Sequence, residues 1–167
     1  MAKSFKEAYL DSTDVLRDIY DHHTGFLGDA VDILENSKVT EALHNVTISS
    51  GKYRDAAQMH LEFAATSHAG IGGLDIGPER EQVVPKIYEG ARQTYDHLND
   101  HLDAMGALAQ SHHWTLGEHH PLTQHIIKNY HGRKSLIGQY ADAWGFKDRF
   151  DFDDIMKNNN LNPNQFD

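Results

Sequence analysis

The stretch Val84–Ala109, VPKIYEGARQTYDHLNDHLDAMGALA, decides the fold. Its apolar residues Val84, Tyr88, Ala91, Tyr95, Leu98, Leu102, Met105 and Ala109 are separated by four and three residues in strict alternation. That alternation is the 3.5-residue period of helices packed nearly parallel or antiparallel. The seam is too short and too rich in alanine and tyrosine for a free-standing coiled coil. It predicts the long central helix of an irregular all-α bundle, over about residues 84–110. Ala91 and Ala109 let neighbouring helices come close, and the mix of small and large residues favours interdigitation.

Upstream, Ala8, Tyr9, Val15, Leu16, Ile19 and Tyr20 keep the spacing of three and four that marks an amphipathic helix. The same phase continues through Phe26, Leu27, Ala30, Val31, Ile33 and Leu34. Gly25 and Gly28 interrupt it, each costing about 1 kcal/mol against alanine, so a break or kink is expected at Thr24-Gly25. Residues 37–50 are ambiguous: Thr40 to His44 reads as a turn or two of helix, and Val46-Thr-Ile-Ser could be extended. A firmer helix covers about Lys52 to Ser67 with Ser50 as its cap, and the glycines of 69–78 read as a connector. Their spacing does not fit a dinucleotide loop, and no strand precedes them.

Downstream, Pro85 predicts a restart or kink, and the helical pattern stops at QSHHWTLGEHHP. Pro121 opens a further helix with Gly132 as its stop, and Ser135–Phe146 forms another, ended by Gly145. The expected organisation is a helical domain over 1–147 followed by an acidic and polar arm over 148–167.

Composition narrows the function. The chain of 167 residues carries a formal charge of −10 with histidines neutral, which argues against non-specific nucleic-acid binding. It has no cysteine, so disulfides, thiolate metal sites and cysteine nucleophiles are excluded. No apolar run approaches a membrane span and the N-terminus lacks a secretory pattern, so a cytoplasmic or virion location is expected.

Histidine is the chemical signal. Eight of the 13 histidines (His97, His101, His112, His113, His119, His120, His125 and His131) lie between Val84 and His131. His97 and His101 are four apart on the long helix and so can face one ion. The residues between them lack the glutamate of HExxH. Their spacing resembles one element of hemerythrin-like proteins, whose His-x-x-x-Glu and His-x-x-x-x-Asp elements do not occur here. Glu41-Ala-Leu-His44 is similar to the Glu-x-x-His element of ferritin-like dimetal bundles, which use two copies where this chain has one. A composite site of Glu41, His44, His97 and His101 would suit iron or zinc.

Three weaker patterns complete the survey. His22-His-Thr24 and His113-Trp-Thr115 resemble the paired His-x-Thr elements of two-histidine phosphoesterases, which place them on strands rather than helices. Leu102–Gly117 resembles the proximal helix of globins, without a matching pattern upstream. Asp148, Asp151, Asp153 and Asp154 do not follow calcium-loop spacing.

These residues predict a non-enzymatic structural subunit of a larger assembly, with a virion or phage head–tail connector component as its concrete form. Self-association or neighbouring subunits would supply the burial a small core lacks. On this reading the arm grips its neighbour through Phe150, Phe152, Leu161 and Phe166, and no cofactor is needed. The alternative is a histidine-rich helical-bundle protein or enzyme, an oxidoreductase or hydrolase, that binds di-iron or zinc. Either way, the many histidines predict assembly or solubility that changes between pH 7.5 and 5.5.

Overall fold

The computed structural model describes residues 4–35, 40–74 and 77–146, and for 40–50 the backbone alone. Four helices account for nearly all of these: α1 (Phe5–Glu35), α2 (Thr40–Gly72), α3 (Arg80–Leu116) and α4 (Pro121–Ala143). Short connections force each helix to run back along the one before it. The cross-contacts agree: Thr13 meets His68 and Tyr20 meets Leu61, so α1 and α2 run in opposite senses. α4 packs against both α1 and α3, which closes the ring as an up-down-up-down bundle.

The seam of α3 faces inward as its period requires. Val84, Tyr88, Ala91, Tyr95, Leu98, Leu102 and Met105 are buried, and Ala109 packs against the core from its edge. The helix is longer than the seam. It includes Pro85 without interruption and continues past Ala109 to Leu116, where Gly117 caps it at φ 87°. Pro85 therefore marks no restart. The QSHHWTL stretch is helical too.

Three other expected breaks are also absent, and each has a packing reason. α1 crosses Gly25 and Gly28 because Leu16, Ile19, His23 and Phe26 keep one buried stripe across the gap. Burial of such side chains at about 1.5–3 kcal/mol each outweighs two glycines at about 1 kcal/mol. α2 is a single helix from Thr40 through Gly51 to Gly72, so Val46-Thr-Ile is helical and Ser50 lies inside the helix rather than at its start. α4 passes through Gly132 because that glycine is a contact point: a Cβ there would lie 3.1 Å from His22 Nε2.

The real ends use local chemistry. Ser4 Oγ accepts the Glu7 amide at 3.1 Å, a capping arrangement with glutamate in the first turn. His120 Nδ1 accepts the Leu122 amide at 3.1 Å, with Pro121 in the first turn of α4. At the other end Gly145 has φ 83°, and the Phe146 amide returns to the Ala141 carbonyl at 2.9 Å, a Schellman closure.

The core has two apolar clusters. One contains Ile19, Leu61, Leu98, Ile137, Tyr140 and Trp144; the other contains Phe26, Ala57, Met105, Leu108, Leu122 and Ile126. Between them along three of the helices lie His23, His101 and Arg133. That layer is polar.

Candidate functional site

Arg133 is the centre of the polar layer and is fully buried. Its Nε and Nη2 both point at His22 Nδ1, at 3.1 and 2.8 Å. Its Nη1 faces His23 Nδ1 at 2.9 Å, His101 Nε2 at 3.0 Å and the sulfur of Met105. The Phe26 ring lies under the guanidinium carbon at 5.7 Å. Among the described residues no carboxylate pairs with this cation. Burial lowers Arg133 to about 10, so it stays charged at neutral pH.

A guanidinium only donates, so every imidazole nitrogen facing it must offer a lone pair. This fixes the tautomers. The Ala57 carbonyl, 2.7 Å from His101 Nδ1, can only accept, so Nδ1 carries the hydrogen and Nε2 receives Arg133. Protonating His101 would set two donors against each other. Burial first, then the Arg133 charge against the carbonyl's opposing pull, holds His101 near 3. Burial and Arg133 likewise hold His23 near 4 and lower His22. His23 Nδ1 accepts from Arg133, so its hydrogen sits on Nε2, which is buried beside the Gln58 side chain.

His68 repeats the logic one layer away. Thr13 spends its hydroxyl hydrogen on the Tyr9 carbonyl at 2.7 Å, so it accepts from His68 Nε2, also at 2.7 Å. His68 Nδ1 then accepts from the Tyr140 hydroxyl at 2.9 Å. Tyr9 stacks on the imidazole at 4.7 Å, and burial depresses His68 to about 4. These imidazoles are committed acceptors and donors of the core.

A different group forms on the α2–α3 face. His60 from α2 and His97 and Asp100 from α3 each bring one ligand atom to within 4.8 Å of the others. Both imidazoles are half-buried and Asp100 is exposed. Nδ1 of His60 and Nδ1 of His97 are buried with no hydrogen-bond partner. An unsatisfied buried polar atom costs about 1–3 kcal/mol, and a cation taken by such a nitrogen would remove that cost. Phe63 stands over the pair, its ring 5.5 Å from His97 and 6.4 Å from His60. Two imidazoles and one carboxylate suit zinc or ferrous iron. A tetrahedral ion with bonds of about 2.0–2.1 Å holds its ligands roughly 3.4 Å apart, so only small side-chain shifts are needed.

The residues singled out from sequence separate here. His97 joins the cluster, whereas His101 has both ring nitrogens engaged in the core. The side chains of Glu41 and His44 lie outside the described residues, as do Phe150, Phe152, Leu161 and Phe166. His22, Thr24, His113 and Thr115 all sit on helices, unlike the strands of the phosphoesterases. His60 and Asp100 were not singled out. The spacing His97-x-x-Asp100 was available as a one-face signal, but the arrival of His60 depends on the α2–α3 register. No helix among the described residues is long and apolar enough to cross a membrane. No family model, no curated protein and no solved structure matches the chain.

Proposed function

We propose that this chain is a metal-binding helical bundle that holds one zinc- or iron-class divalent cation between α2 and α3. The observation that carries the reading is the convergence of His60, His97 and Asp100. The unpartnered Nδ1 atoms of both imidazoles support it. The test is calorimetric titration of metal-stripped protein with zinc, together with the visible spectrum of the cobalt form. One ion per chain is expected, lost in His60→Ala and His97→Ala and kept in His113→Ala and His119→Ala. Equal binding by all four variants would place any metal on surface histidines and end this reading.

A second reading makes the chain a non-enzymatic subunit of a larger assembly, with a virion or head–tail component as the concrete case. It is favoured by large apolar side chains left in water: Trp114 is 76% exposed, and Leu10, Val31, Met59 and Phe63 are each near half. Sedimentation of the full chain tests it; a monomer at all concentrations and with every metal tried would remove it.

A further inference from the structure

The cluster offers three protein ligands, and its outward side is bounded by features that fit another copy of the chain. A closed structural zinc site takes four protein ligands, whereas a three-ligand site leaves one position for something else. On α2, Met59 and Phe63 are four residues apart and share one face, 43% and 47% exposed. Phe63 lies against both imidazoles, so this apolar pair forms a collar on one flank of the ligands. An exposed carboxylate, Asp103, follows one turn after Asp100 on α3.

In the metal-free chain such a face opposes its own copy, because carboxylates would meet carboxylates on molecules that each carry −10. A divalent ion reverses this locally. It outweighs the charge of Asp100 and presents a positive centre, flanked by the apolar pair, to a partner whose matching face is negative.

We propose that a second copy of this chain completes the coordination. The ion held by His60, His97 and Asp100 takes its remaining ligand from the exposed carboxylate of Asp103 of the other copy. Met59 and Phe63 of both copies pack around the junction. The pair is isologous, since each copy gives what it receives. This inference rests on the metal reading above and adds the partner.

The test uses the full chain, stripped of metal, in sedimentation velocity with and without one equivalent of zinc, with calorimetry on the same samples. Zinc is expected to convert monomer to dimer, and chelation to reverse it. Met59→Gln, at an exposed position outside the ligand cluster, should keep zinc binding and raise the dimer dissociation constant by about tenfold or more. Asp103→Asn should likewise bind zinc and stay monomeric. A zinc-loaded wild-type monomer overturns the pairing while leaving the metal site intact. A dimer that persists in chelator, or in the Asp103→Asn variant, overturns the bridging role. Failure to bind zinc at all removes the metal reading and this inference with it.

Discussion

His97 and His101 sit one helical turn apart on α3 and have opposite lives. His101 is sealed between Arg133 and the Ala57 carbonyl, each ring nitrogen fixed in its role. His97 opens toward His60, Asp100 and solvent, with a ring nitrogen that no protein group satisfies. The difference shows that histidine spacing fixes only the face of a helix. Whether the ring is structural or available for chemistry is decided by what the neighbouring helix brings: a guanidinium on one side of the bundle, a second imidazole on the other.

The buried side should respond most to acid. His23 and His68 are each held near 4, against an ordinary value of 6.5. An unfolded chain therefore binds more protons than the folded one below about pH 6.5, and stability falls as pH drops from there toward the folded values. At pH 5 each of the two costs about 2 kcal/mol, or about 4 kcal/mol together, relative to pH 7.5. Urea denaturation at the two pH values measures this directly. A change under about 1 kcal/mol would mean that these rings are solvated in solution.

Single substitutions should then separate the two histidines. His101→Ala removes a fully buried ring together with the acceptor for Arg133 and the brace on Ala57, and should cost about 3 kcal/mol of folding stability. Refolded in the cold, that variant should still bind zinc. His97→Ala should do the reverse, leaving stability within about 1 kcal/mol and weakening zinc binding by about 100-fold or more. If both variants lose zinc to the same degree, the composite pairing of His97 with His101 regains its place and the contrast collapses.

Much of the bundle is written in the sequence, and what is not has a physical reason. The α3 seam is legible because seven inward residues repeat one period, and periodicity survives any choice of partner. The helix ends are harder, because Gly25, Gly132 and Pro85 are local penalties that tertiary burial overrides. Arg133 reads in sequence as part of a small basic run, Gly-Arg-Lys, and nothing local marks it as the centre of the core. His60 carries no motif of its own. Its role comes from the antiparallel register that sets it beside His97, and register between helices is not a local property.

The smallest predicted effect probes the same contrast through glycine. Gly25 and Gly132 lie on facing helices near the Arg133 layer, and both read in sequence as breaks. A Cβ on Gly25 meets nothing within 4 Å, so Gly25→Ala should stabilise the protein by about 1 kcal/mol through helix propensity alone. A Cβ on Gly132 would press on His22 Nε2 at 3.1 Å, while His22 Nδ1 is held by two hydrogen bonds from Arg133. Retreat of the ring stretches those bonds. Gly132→Ala should therefore lose the same propensity gain and finish about 1 kcal/mol less stable than wild type. Thermal melts of the two variants decide it. Equal stabilisation by both would show that His22 yields freely and that the layer is looser on the α1 side than on the side of His101.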